Sequence, residues 1–426
     1  MIIIDHALKK REMNSNPIKV GITGLGEMGK GIINQITKHT PGIIISCVYS
    51  RNIENARNAF NSLGIENYII TNSSVTADEV IHSGKIAITD DEDVFCSISK
   101  MDVLVEATGA IEFAARIILK AFEHGKHVLS FNAELDSVLG PVILKKANSM
   151  GLKYALADGD QPGVTMNLYR YVKTLGFEPL VCGNVKGMQD RYRTPETQKG
   201  FAASWGMNPV MATNFADGTK VSFEQSCIAN ATGMKVAQRG MLGFEANDHI
   251  DNLTHLFDID MLRQMGGIVE YIIGAKPSPG VFIYAAANDP LSIKYLRYGK
   301  LGEGPLYSFY VPYHLLFFDI SSSICRLIDF DDPVIIPSYG YVVDVITVAK
   351  TDLSPGDLID GIGGFKAYGL CENHDVVIRE NLLPMGLSED CILKNPIKKD
   401  QVVKYSDVLI PNGRIIDNLR SEITSY

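Results

Sequence analysis

The sequence predicts an α/β protein: a doubly wound parallel sheet, then a second α/β region and a small β-rich tail. Three observations carry this. Strands alternate with helices of about 10 to 15 residues across the first third of the chain, the pattern of βαβ units. A G-x-G-x-x-G turn links the first strand to the first helix. From about residue 340 the texture changes to short β-rich runs broken by Pro-Gly and Gly-Gly turns, as in "VAKTDLSPGDLIDGIGG".

Taken in order, residues 1–16 read as a polar, charged arm with short apolar patches. "PIKVGITGLGEMGKGIINQITKH" then sets out a strand, a glycine turn and an amphipathic helix. Strand-like "GIIISCVYS" follows, then helical "IENARNAFNSL" and strand-like "KIAIT". "MDVLVEATG", the helix "IEFAARIILKAFEHG", the strand "KHVLSFN", helical "PVILKKANSMG" and the strand "LKYALAD" complete a domain over 17–157. A second domain over 158–338 has longer helices, glycine turns and most of the tyrosines, and a β module covers 339–426. No internal repeat or low-complexity segment interrupts the pattern.

The bulk properties exclude several classes. A chain of 426 residues exceeds the size at which one core keeps growing, so two or three domains are expected. A net charge of −9 argues against nucleic-acid partners, which demand clustered cations. No apolar stretch approaches the roughly 20 residues that span a bilayer, and "MIIID" is too short for a signal-peptide apolar region. The seven cysteines are scattered and form no C-x-x-C pair. That reads as reduced thiols in a cytoplasmic protein without a disulfide frame or zinc site.

The glycine turn is "GITGLGEMG", with Gly24, Gly26 and Gly29 in the fingerprint spacing and Leu25, Glu27 and Met28 between them. The first glycine serves the tight turn, the second the approach of a pyrophosphate, the third the packing of helix on sheet. Free N–H groups at the helix start then face the anion. A purely structural glycine turn is the alternative. An NAD site usually places Asp or Glu at the end of the second strand, to accept from the ribose hydroxyls. Here "SCVYSRN" supplies Ser50 and Arg51. A guanidinium and a hydroxyl suit a 2′-phosphate, which an acid would repel, so NADP(H) is the expected cofactor. A solvated surface arginine is the bland reading. Further on, "VLVEATGA" ends in Thr108 and Gly109, at the sheet edge where the nicotinamide ribose should pass. "HVLSFNAELD" brings Asn132, Glu134 and Asp136 to that edge. The two acids suit substrate orientation, a metal or proton transfer, or else simply cap a helix.

The runs "GLGEMGKGI", "HSGKIAITDD", "FNAELDSVLGP", "IANATGM", "IGAKPSPGVF", "GEGPLYSFYVPYHL" and "VAKTDLSPGD" together resemble the homoserine-dehydrogenase-like oxidoreductases with a C-terminal SAF domain, among them the deoxyxylulose-phosphate reductoisomerase-like (DRL) enzymes. The resemblance runs from about residue 17 to 415. It implies a Rossmann-type first domain, a substrate and dimerisation domain, an SAF-like β tail, a cytoplasmic homo-oligomer, and an NADPH-dependent reaction on a small phosphorylated keto sugar. "NVKGMQDRYRTPETQKGFAASWG" departs from the reductoisomerase-like pattern after its lysine, which leaves the sugar open.

Such a reaction requires a cation for phosphate, a donor for the carbonyl and a dry pocket. Lys186 follows an apolar strand in "NVKG", and the family has a lysine after the same strand. Asn230 in "IANATGM", with Thr232 and Gly233, suits an oxyanion or a helix end. Lys276 and Ser278 sit in the tight turn "IGAKPSPG", which either presents N–H groups to an anion or is merely rigid. "LRYGKLGEGP" offers Arg297 and, preferentially, Lys300. His314 in "VPYHLLFF" is either a core histidine or a general acid or base. Arg191 and Arg193 in "DRYRTPE" form a further anion candidate or a solvated loop, and the acids of "DFDD", Asp329 to Asp332, read as solvated. No metal ligands are assigned. Should rearrangement precede reduction, Mg or Mn would chelate the intermediate, with Glu134 as its holder. The alternatives are a homoserine or surface-polysaccharide sugar dehydrogenase and, from another class, a non-catalytic NADP(H)-bound sensor or carbohydrate-binding protein.

Overall fold

A computed structural model describes residues 3–422. Its residues pack into two compact units. One gathers the described chain up to Asp160 with Leu315–Ile336 and the stretch from Asn418; the other gathers Gln161–His314 and Pro337–Asp417.

The first unit is a seven-stranded, wholly parallel sheet. Its strands are β1 (Ile18–Thr23), β2 (Ile43–Tyr49), β3 (Tyr68–Ile70), β4 (Ile86–Thr89), β5 (Val103–Glu106), β6 (His127–Ser130) and β7 (Tyr154–Leu156), ordered β3-β4-β2-β1-β5-β6-β7. The chain leaves β1 outward through β2 and returns to β5 on the other side, so the switch point lies at the carboxyl ends of β1 and β5. Both faces are covered, which is why the strands read as continuous apolar runs: Ile18, Val20, Ile22, Val103 and Val105 are all fully buried.

Two parts of this unit differ from expectation. The polar arm is a helix, Ile3–Met13, whose Leu8 enters the same core. Arg11 there bonds the Asp329 carboxylate through Nε at 3.0 and 2.9 Å. The amphipathic helix Ile320–Asp329 belongs here too, burying Ile320, Ile324 and Leu327 in that core. The "DFDD" acids are therefore paired rather than merely solvated: Asp331 meets Lys153 at 3.0 Å and Asp332 meets Arg326 at 2.9 Å.

The second unit is built on a five-stranded sheet of β8 (Glu178–Lys186), β9 (Phe244–Glu245), β10 (Ile268–Ile273), β11 (Gly280–Ala286) and β12 (Leu306–Val311), ordered β12-β11-β8-β10-β9. One face carries Val181, Val185, Ile268, Ile272, Phe282 and Tyr284 into an apolar core. By the two-residue alternation of a strand, Cys182, Asn184 and Lys186 point to the other face. The helix Thr219–Thr232 is buried at all 14 positions, polar ones included. Against it packs an antiparallel pair, β13 (Val343–Ala349) with β14 (Ala367–Asn373). The rest of the tail is short strands, β15 (Ile392–Leu393) with β16 (Val408–Leu409), and single bridges such as Val348 to Val402 and Leu353 to Ile397.

Candidate functional site

The three glycines of the turn do three distinct jobs. Gly24 has φ +95°, and a Cβ there would fall 2.5 Å from the Ala107 carbonyl, so the turn lies hard against the loop after β5. A Cβ on Gly29 would fall 1.7 Å from the Gly24 oxygen, so the helix Glu27–His39 seats directly on the turn. A Cβ on Gly26 would meet nothing within 4 Å. Gly26 is the N-cap of that helix and gives it no side-chain cap. Bare N–H groups and an open approach are what a pyrophosphate requires.

At the end of β2, Ser50 donates to the Asn52 carbonyl at 2.7 Å, and Asn52 caps the next helix through the N–H groups of Glu54 and Asn55. Arg51 between them is exposed. The bare helix start and the close-packed glycine turn fit a nicotinamide dinucleotide, and the turn after β2 carries Arg51 and no acid.

Beside the switch point, the sequence reading overlooked Glu106. This carboxylate is fully buried, accepts from Thr108 N at 2.7 Å and Ser130 Oγ at 3.1 Å, and also receives the Thr108 hydroxyl. Burial pushes its pKa up while those donors pull it down, with burial the stronger. Through Glu106 the Thr108–Gly109 loop, with Gly109 at φ +71°, is held rigid at the sheet edge. Asp136 takes the structural reading, and Asn132 uses its side-chain oxygen for a cap. Asn132 caps the helix Ala133–Ser149 by accepting from Leu135 N at 2.9 Å, and Asp136 accepts from the Tyr154 hydroxyl at 2.9 Å. Glu134 is buried in the first turn of the same helix. No group of three or more His, Cys, Asp or Glu side chains converges on it or elsewhere among the described residues, so Glu134 lacks the companions that would hold a metal ion with it.

In the second unit the β8 edge gathers several expected residues. Lys186 ends β8 opposite Ile273 of β10; Gly280, the start of β11, lies opposite Val185; and Val311, the end of β12, lies opposite Val281. Lys186, the loop with Lys276 and Ser278, and the segment leading to His314 thus share one edge of the sheet. Lys300 does not. It follows the helix Pro290–Tyr298, which joins the end of β11 to the start of β12, so it is exposed at the opposite edge, about 20 Å away for strands of this length. Arg297 is paired with Glu303 beside it. Lys300 is therefore removed from the catalytic set.

Asn230 is also corrected. Its Oδ1 accepts from Val342 N at 2.8 Å and Val343 N at 3.1 Å, and its carbonyl accepts from Tyr339 N at 2.9 Å. It clamps the chain entering β13 onto the buried helix. Arg191 lies over the Tyr368 ring at 6.0 Å, and Arg193 pairs with Asp190 at 3.1 Å.

The cluster that sequence reasoning missed lies beneath Lys186 on the same face. Asn184 Nδ2 donates to Glu224 Oε2 at 3.1 Å and to Gln161 Oε1, all three side chains being buried. Lys220, 8% exposed, precedes Glu224 by four residues and shares its face of the buried helix. A buried carboxylate, an ammonium group and two amides form a set suited to holding a carbonyl oxygen and moving a proton. The trace it leaves in the sequence is the one-turn spacing of Lys and Glu in "TKVSFEQSCIANAT", a helix in which polar residues are mixed with apolar ones around the whole circumference.

Residues 24–157 match the NAD-binding domain of homoserine dehydrogenase, and residues 159–320 match the catalytic domain of the DRL oxidoreductases. A homoserine dehydrogenase from Methylobacillus glycogenes is 31% identical over 144 residues, 33% of this chain and 32% of the relative. One from Pseudomonas aeruginosa is 35% identical over 137 residues, 32% of this chain and 28% of the relative. The chain thus spans about a third of the length of the curated relatives it matches. Among solved structures, a probable dehydrogenase from Thermotoga maritima has a TM-score of 0.43 at 11% identity, covering 76% of this chain and 92% of the other. The scyllo-inositol dehydrogenase of Lactobacillus casei, with bound NAD(H) and scyllo-inositol, has a TM-score of 0.42 at 13% identity, covering 76% and 93%.

Proposed function

We propose that this chain, which belongs to the homoserine-dehydrogenase-like DRL oxidoreductases, reduces the carbonyl of a small phosphorylated keto sugar with NADPH. The specific reaction put forward is conversion of 1-deoxy-D-xylulose 5-phosphate to 2-C-methyl-D-erythritol 4-phosphate, in which the C3–C4 bond breaks and a C2–C4 bond forms, and the carbonyl that takes the hydride is the aldehyde this rearrangement leaves at C3. The observation that carries the reading is the DRL catalytic-domain match over residues 159–320, the region that holds the buried Asn184–Gln161–Glu224 cluster. The short antiparallel strands of the tail are consistent with an SAF-like module.

NADPH, when bound, supplies the hydride. The chain's residues do the rest. Lys186 and the Lys276 loop meet the substrate phosphate with positive charge and turn N–H groups. Lys220 neutralises the oxygen that becomes an alkoxide and gives it a proton, while Glu224, fixed by Asn184, orients the ammonium group and restores its proton. Arg51 pairs with the 2′-phosphate and selects NADPH over NADH.

A second reading is supported by the homoserine dehydrogenase relatives: homoserine oxidation with the same cofactor unit. One assay separates them, following absorbance of the reduced nicotinamide with deoxyxylulose phosphate in one direction and homoserine in the other. Turnover of the sugar phosphate supports the proposal, and turnover of homoserine alone replaces it. Tight NADPH binding with no turnover of either, or of a wider panel of keto-sugar phosphates, leaves the non-catalytic sensor.

A further inference from the structure

We infer that Lys350, in the β-rich tail, is a positioning residue for the active-site cluster, an inference that rests on the reading of Lys220 and Glu224 given above. Lys350 follows β13 and its side chain is 2% exposed. Its ammonium group donates to three acceptors: Asp217 Oδ2 at 2.9 Å, the Arg193 carbonyl at 2.8 Å and the Gly364 carbonyl at 2.8 Å. Two of these belong to the segments that present the chemistry. Asp217 stands two residues before the buried helix and accepts Thr219 N at 2.9 Å, which sets where the helix begins and so where Lys220 projects. Arg193 closes the loop that leaves Lys186. One buried cation therefore ties the exit of β8 to the entrance of the catalytic helix.

The remainder of the tail reinforces the same geometry. Thr219 Oγ1 accepts from Gly369 N at 2.8 Å, Ser222 Oγ donates to the Gly369 carbonyl at 3.1 Å, and Ser226 Oγ donates to the Val343 carbonyl at 2.7 Å. With Asn230 these residues follow the three- and four-residue steps of one helix face. That face is stitched to β13 and β14, whereas Lys220 and Glu224 lie on another. On the loop side, the Tyr192 and Tyr368 hydroxyls both donate to Asp400, at 2.8 and 3.0 Å. The tail thus determines the spacing and angle of the cluster without contributing a reacting group.

Removing Lys350 alone strands the Asp217 charge in the interior. The variant to make is therefore the double substitution Lys350→Met with Asp217→Asn, with Asp217→Asn alone as a second variant should the double one fail to fold. The expected result is a loss in kcat of roughly 100-fold, the scale of a misplaced catalytic group, with NADPH affinity unchanged because the glycine turn is untouched. Hydrogen exchange should rise in 187–194 and 217–224 and stay at the parent level in 18–49. A folded variant with parental kcat and parental exchange in those two segments overturns the inference. A parent enzyme inert toward every substrate sinks the functional reading instead, and exchange in 187–194 and 217–224 then decides the role of Lys350 by itself.

Discussion

The two compact units hold their polar chemistry in opposite ways. The first offers backbone: Gly24, Gly26 and Gly29 strip side chains from a turn so that N–H groups stand bare at a helix start. The second offers side chains, with Asn184, Gln161, Lys220 and Glu224 buried around a helix that has no solvent face. A backbone site is tolerant of what surrounds it and intolerant of any added atom. A buried side-chain site is the reverse, since each polar atom there relies on its neighbours for satisfaction.

That contrast can be broken by substitution. The largest effect is expected from Glu224→Gln, which keeps the shape of the cluster and removes the carboxyl group that returns a proton to Lys220. Turnover should fall by roughly 100-fold or more, with NADPH binding intact; steady-state kinetics beside a binding titration show whether the two separate. Gly29→Ala tests the other unit. The new methyl group lands 1.7 Å from the Gly24 oxygen, and overpacking of up to about 3 kcal/mol corresponds to about 100-fold weaker NADPH binding. Isothermal titration reads this directly, and parental affinity in a folded variant would remove the glycine turn from the cofactor site.

Arg51→Ala sharpens the cofactor half. Loss of a charge-assisted pair costs about 1.5 to 3 kcal/mol, so the preference for NADPH over NADH should fall by about tenfold or more. An unchanged ratio of kcat/KM values would return Arg51 to the solvated surface.

The smallest effect concerns stability. Burial raises the Glu270 carboxyl from 4.5 to about 7, although Leu242, Gly243 and Tyr271 donate backbone N–H groups to it. Its folded pKa lies above the unfolded value, so its contribution is complete below pH 4.5 and is lost as pH rises through about 7. The slope across that window is at most about 1.4 kcal/mol per pH unit. Urea unfolding at a series of pH values should show this decline in the parent and a flatter curve in Glu270→Gln, and identical curves would show that folding leaves the Glu270 pKa unshifted.

The same contrast explains what could be read from the chain alone. Gly24, Gly26, Gly29 and the acid-free end of β2 were legible because position in a strand-turn-helix dictates their chemistry. Thr108–Gly109 was visible at its edge, but the carboxylate beneath it was not, because Glu106 sits in an apolar strand where only the fold reveals that it faces Thr108 and Ser130. Lys186, Lys276 and His314 were placed on one edge by strand register, and the same register moved Lys300 to the opposite edge. Asn230 looked like a site residue because an amide inside an apolar run resembles one. Two backbone N–H groups from more than a hundred positions away had already claimed it. Lys350 was unreadable, and Lys220 with Glu224 left no trace beyond their one-turn spacing, for the same reason: each depends on partners distant in sequence.

The first unit closes only when Leu315–Ile336 is in place, because Ile320, Ile324 and Leu327 complete its core beside Ile18 and Val20. During synthesis its seven strands are finished by residue 156, yet the ribosome must deliver some 160 further residues before that core is sealed. The unsealed sheet is then an aggregation hazard, and a nascent chain halted before residue 315 would be a natural client for chaperones.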